Sequence, residues 1–154
     1  MKLELKHLSP YLPYGLNLKI NTPIGTSNRV LELDCGHDFN LHLSEGNVKP
    51  ILRPLSDLYK NIDINGENII PVIELANINF PRHAWVIVDK WQFIKTKAGG
   101  YTFEWDDGYE CWLFDGSSQM NQVALHYKLL EWHFDVFGLI EKGLATDINT
   151  LDHA

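Results

Sequence analysis

The chain has 154 residues, of which 45% are hydrophobic and 21% charged, a composition that excludes a disordered polymer and suits one folded domain. Twenty Asp and Glu against thirteen Lys and Arg leave a formal charge of −7, which disfavours a non-specific nucleic-acid binder and suits a chain that meets a basic partner. No apolar run approaches the ~20 residues of a bilayer span, and the start Met1-Lys2-Leu3-Glu4-Leu5-Lys6 lacks a secretory apolar core. The expectation is therefore a cytoplasmic protein without a membrane partner, with Cys35 and Cys111 as free thiols.

Residues 14–44 read as strand-rich. Leu16, Leu18 and Ile20 alternate with polar neighbours, Thr22-Pro23-Ile24-Gly25 breaks the run, and alternation resumes from Arg29 to Cys35. Phe39, Leu41 and Leu43 then alternate with Asn40 and His42, which predicts a three-stranded antiparallel meander with turns at 21–28 and 36–38. Residues 45–83 are irregular: Pro50 and Pro54 forbid a helix through 49–55, and Ser56 can cap a short helix reaching Ile62. Asn65-Gly66 signals a turn before an edge strand within Ile69–Leu75, interrupted by Pro71.

An antiparallel sheet is predicted over 84–115, with Ala98-Gly99-Gly100 turning the first strand back. Asp107-Gly108 reads as a two-residue hairpin loop. Counting outward pairs Asp106 with Tyr109, Trp105 with Glu110, Glu104 with Cys111 and Phe103 with Trp112. One face then carries Tyr101, Phe103, Trp105, Trp112 and Phe114.

The last element predicted is one long helix over 118–142, capped by Ser117 or Ser118 and stopped by Gly143, with a Leu139–Leu144 contact at its end. On a helical wheel its apolar arc covers about 240°, against the ~100° that a one-sided surface helix needs. Such a rod is either enclosed by the sheet or presents one flank to another chain, including a second copy of itself. Trp132, Leu125 and Leu139 mark the flank left over, and Trp132 is the anchor that an interface would use.

Few groupings suggest chemistry. His126 and His133 lie two helical turns apart with Leu130 where an intervening ligand would stand, so a buried, hydrogen-bonded role is expected rather than a metal. Cys35, His37, Asp38 and His42 are the one cluster of metal-ligating types, and a polar turn is the plainer reading. Glu104, Asp106, Asp107, Glu110 and Asp115 crowd the hairpin tip, where they are either solvated or dock a basic partner. No phosphate-binding loop or nucleophile elbow is present, no serine is paired with a visible base, and no cofactor is expected.

Three blocks resemble small proteins encoded by phages and prophages of Bacteroidota-type bacteria. They are Leu5-Lys6-His7-Leu8-Ser9-Pro10-Tyr11-Leu12-Pro13-Tyr14-Gly15-Leu16, the segment from Lys49-Pro50 to Leu58, and the ending from Leu125-His126 through Trp132-His133 to Gly143-Leu144. The resemblance implies a mobile-element accessory protein that binds and disables a host protein or ribonucleoprotein, CRISPR nucleases with basic channels included. The reading at this point is an α+β domain, antiparallel sheets packed on one long C-terminal helix, leaning away from catalysis. Its expected partner contacts are Trp132, Asp106, Asp107 and Glu110. Two other readings stay open: a small metal-dependent hydrolase, using Cys35, His37 and His42 or the acidic tip, and a phage structural or assembly component that forms homo-oligomers.

Overall fold

The computed structural model describes residues 1–33, 37–71, 74–75, 91–95, 101–106, 111–113 and 119–151. The fold is mixed α+β, and the chain divides into two compact units: Met1–Leu55 with Leu129–Ala154, and Ser56–Lys128.

The first unit opens with a single helical turn, α1 (Leu5–Leu8), whose Glu4 backbone N–H donates to His7 Nδ1 at 3.0 Å. A 3-10 segment, Ser9–Tyr14, follows and ends on Gly15 at φ 62°, a left-handed position that suits glycine. Next comes a hairpin of β1 (Asn17–Thr22) and β2 (Gly25–Val30), closed by the Thr22↔Gly25 pair around Pro23-Ile24. The second strand thus begins earlier than the predicted Arg29, and Leu31–Leu33 lie outside it; the remainder of that predicted strand, 34–35, is outside the described residues. All six β2 residues are exposed, so no buried alternation marks the strand in the sequence.

The predicted third strand of the meander is instead a helix, α2 (His37–Glu45). Phe39 and Leu43 are four residues apart and both buried, whereas Leu41 between them is exposed. That is a helical face, not a strand face. Gly46 (φ 77°) ends α2: its N–H reaches the Leu43 carbonyl, and the Asn47 N–H reaches that of His42 at 2.9 Å, a Schellman closure.

The third strand lies in the segment expected to be irregular: β3 (Val48–Leu52) runs antiparallel to β1, with Leu18↔Pro50, Lys19↔Lys49 and Ile20↔Val48 in register. Pro50 is tolerated because the parallel neighbour on the other edge, β9 (Thr146–Asp147), pairs only from Ile51 onward. The sheet order is β2-β1-β3-β9. Its inner face carries Leu18, Ile20, Val48 and Leu52, all almost wholly buried. Each such side chain contributes roughly 1.5–3 kcal/mol on burial.

The long rod of 118–142 does not form. Its helix, α3 (Gln119–Glu131), has 13 residues and brings the chain from the second unit back to the first. It stops at His133, which adopts φ 59°; the His133 N–H donates to Leu130 O at 3.0 Å and the Phe134 N–H to Leu129 O at 2.9 Å. This is another Schellman closure, with histidine in the place glycine usually takes. Left-handed geometry costs a non-glycine residue roughly 1 kcal/mol, and three long-range bonds offset it. Arg53 N–H donates to His133 O and Asp135 N–H to Arg53 O, both at 2.8 Å, making a parallel bridge. The buried Tyr11 hydroxyl donates to Phe134 O at 2.6 Å.

Residues 135–143 are turns organised by Asp135, 5% exposed, whose two carboxylate oxygens accept the N–H groups of Leu139 and Ile140, each at 2.8 Å. The predicted ending at Gly143 is present locally: φ is 69°, Gly143 N–H meets Ile140 O, and Leu144 N–H meets Leu139 O, both at 2.9 Å. It closes a turn rather than a long helix.

A 3-10 helix, Leu55–Tyr59, begins on the last residue before the second unit and replaces the α-helix predicted to reach Ile62. The buried Asp57 carboxylate accepts from Lys60 Nζ at 2.7 Å. Asn65-Gly66, at φ 55° and 86°, forms a two-residue loop joining β4 (Ile62–Ile64) to β5 (Glu67–Ile69), the chemistry that the dipeptide predicts. The edge strand expected through Leu75 ends at Ile69, and Pro71, Glu74 and Leu75 are helical. The second sheet is antiparallel as predicted, in the order β6 (Trp91–Lys95), β7 (Tyr101–Asp106), β8 (Cys111–Leu113). The turns at 98–100 and 107–108 and the caps at Ser117 and Ser118 lie outside the described residues.

Candidate partner-binding site

Asp106 is the last residue of β7, opposite Cys111 at the start of β8. The pairs Glu104↔Leu113, Trp105↔Trp112 and Asp106↔Cys111 correct the register counted from a two-residue Asp107-Gly108 loop by two positions. Four residues, 107–110, separate the strands. Because the strand period is two, a slip of two keeps each residue on its face. Trp105 and Trp112 thus remain on one face and now stand directly opposite each other.

The register on the other edge extends that face. Trp91 pairs with Trp105, Phe93 with Phe103 and Lys95 with Tyr101. Six aromatic positions, Trp91, Phe93, Tyr101, Phe103, Trp105 and Trp112, therefore share one side of a three-stranded sheet. The sequence reading found the β7–β8 half of this set. It passed over Trp91 and Phe93 because it counted no register across 98–100. Asp107 and Glu110, the other expected acidic contacts, lie outside the described residues, as do Phe114 and Asp115.

Trp132 lies just beyond α3 and is 6% exposed. The continuous helical flank on which it was expected to stand is absent, because the helix ends before it. Leu125 and Leu139, the other two members of that flank, are buried as well. Of the four expected contacts, the described residues thus include Trp132, which is buried, and Asp106, the last residue of β7.

The histidines and cysteines are not brought together. Cys35 is outside the described residues, and His37 and His42 are the first and sixth residues of α2, about 140° apart around it at 3.6 residues per turn. His42 Nδ1 is buried without a hydrogen-bond partner among the described residues. No group of three or more His, Cys, Asp or Glu able to hold a metal occurs among those residues.

His126 is on α3 and His133 beyond its end, so their two-turn spacing does not persist. Burial pushes the His126 imidazole below the usual histidine range. His133 is lowered too, chiefly by burial and further by the Arg53 charge, against the Tyr14 carbonyl that accepts from its Nε2 at 2.7 Å. The residues that the sequence reading missed are Tyr11, Arg53 and Asp135, which fasten His133 and Phe134 in place. A hint was available in His133 itself, since histidine tolerates the left-handed region better than most residues.

Compared with protein-family models, curated proteins and solved structures, the chain matches none. Among the described residues no helix is long and apolar enough to cross a membrane.

Proposed function

We propose that the chain is a non-enzymatic accessory protein of a phage or other mobile element, acting in the bacterial cytoplasm, that binds a host macromolecule through an acidic edge. The target class is a guide-loaded defence nuclease of the CRISPR type, whose nucleic-acid channel is basic. One observation carries the reading: β7 ends in Asp106, with Asp107 and Glu110 in the four residues before β8, beside a sheet with six aromatic positions on one face. Carboxylates would steer a basic surface and set the on-rate, and Trp and Tyr would supply the residual affinity.

The test is cleavage of target DNA by purified guide-loaded effectors preincubated with the chain. Inhibition near one equivalent is expected, lost in high salt and lost in D106N/D107N/E110Q while the melting temperature is unchanged. Absence of any saturable complex with a panel of such effectors would refute the reading. Metal retained near unit stoichiometry, or a defined homo-oligomer without a host partner, would favour a hydrolase or an assembly component instead.

A further inference from the structure

We infer that the outward face of the four-stranded sheet in the first unit binds the phosphodiester backbone of a single-stranded nucleic acid. In β1, Leu18 and Ile20 are buried while Asn17, Lys19 and Asn21 occupy the other side; in β3, Val48, Pro50 and Leu52 are buried while Lys49 occupies the other side. The register sets Lys19 directly opposite Lys49 on one edge and Asn28 on the other. Two ammonium groups therefore rise from adjacent positions whose Cβ atoms are about 5 Å apart, an arrangement that costs stability because the charges are alike.

Neither lysine has an ion pair or hydrogen bond among the described residues. The six, six and five residues of β1, β2 and β3 carry Lys19, Arg29 and Lys49 and no acid, in a chain with twenty acids and thirteen bases. Arg29, opposite Leu18, and Asp147 of β9, opposite Leu52, belong to the other side, so the charges on this face are those of the half-buried Lys19 and Lys49 alone, a locally positive patch on an acidic protein. At physiological salt the Debye length is about 8 Å, so this local charge governs contact despite the total of −7.

The donors select the ligand. Lysines act as point charges, the mode suited to phosphate oxygens, whereas planar carboxylates favour the arginine fork. Arg29 pairs with Leu18 and so belongs to the opposite side of the sheet. Asn17, Asn21 and Asn28 add amide donors beside the lysines, and Thr26 Oγ1 donates to Asn21 Oδ1 at 3.0 Å, leaving the Asn21 amide hydrogens for a ligand. Glu45, which precedes β3, is engaged by Asn47 Nδ2 at 2.9 Å. No aromatic residue occurs in β1, β2 or β3, so bases are not stacked and binding is sequence-independent. A four-stranded face is broader than the two-stranded ribbon that enters a major groove, which favours a single strand over a duplex.

Fluorescence anisotropy of labelled single-stranded DNA and RNA with the full chain, between about 50 and 200 mM salt, tests this. Saturable binding is expected, equal across mixed sequences. K19Q/K49Q should weaken it at least roughly fivefold and reduce the slope of log affinity against log salt by about 1.4, since each single-strand phosphate contact contributes about 0.7. The double variant should melt no lower than the parent, because it removes a like-charge pair. The inference is overturned by no saturable binding at the lowest salt, by an unchanged slope in K19Q/K49Q, by a lowered melting temperature, or by polyglutamate binding in place of the oligonucleotides.

Discussion

Replacing Asp135 by alanine removes the acceptor for two backbone N–H groups at once. Each bond is 2.8 Å long and made to a charged oxygen, the class worth about 1.5–3 kcal/mol apiece. Leu139 is wholly buried, so its N–H is left dry; Ile140 is half-buried, so its N–H recovers part of its hydration. The expected loss is therefore about 3 kcal/mol, below the sum of two full penalties. Equilibrium urea unfolding followed by tryptophan fluorescence measures it directly. With a slope of about 2 kcal/mol/M, the midpoint should fall by about 1.5 M. D135N keeps one acceptor oxygen but turns an amide toward the second donor, and should lose about half as much. A D135A midpoint within about 0.25 M of the parent, or about 0.5 kcal/mol, would refute the claim that this carboxylate organises the turns after α3.

The imidazoles of His126 and His133 are both held below 6.5 by burial, so the unfolded chain binds more protons just below that value. Stability should be full above about pH 6.5 and fall as pH drops through the lowered folded values; H133N should flatten the dependence of melting temperature on pH between 5 and 8. In a C35S background, oxidation should link D106C to Cys111 but leave E104C reduced, since Asp106 is the residue opposite Cys111. Mass spectrometry after alkylation reads the outcome, and the reverse pattern would restore the two-residue loop. Gly66→Ala, at φ 86°, should cost about 1 kcal/mol in the same urea assay.

How legible the fold was depends on what each segment buries. Asn65-Gly66 and Gly143 were read correctly because their chemistry is local: a backbone that needs positive φ selects them wherever they fall. Residues 39–43 were misread because Phe39, Leu41 and Leu43 satisfy a period of two. The spacing of four between the first and last also satisfies a helix, and only the exposure of Leu41 decides between them. The strand at Gly25–Val30 carried no signal, since an edge strand exposed on both sides has nothing to alternate. The predicted rod failed for a tertiary reason. Many of its apolar residues are buried, although Val123 and Tyr127 are exposed, and Trp132, Phe134, Val136 and Leu139 are buried from a chain that turns rather than from one cylinder. The site was legible in part: parity preserved the aromatic face of β7 and β8 even though the loop length was wrong, while the Lys19–Lys49 pairing depended on a strand that the prolines had hidden.

The bridge between Arg53 and Phe134 brings together two points of the first unit separated by 81 positions, close to where the chain departs at Leu55 and rejoins at Leu129. The intervening stretch is thus a guest spliced into a host whose splice points are already clasped by main-chain bonds. A host of this kind can exchange its guest, for a longer one or for a few connecting residues, and still close on itself.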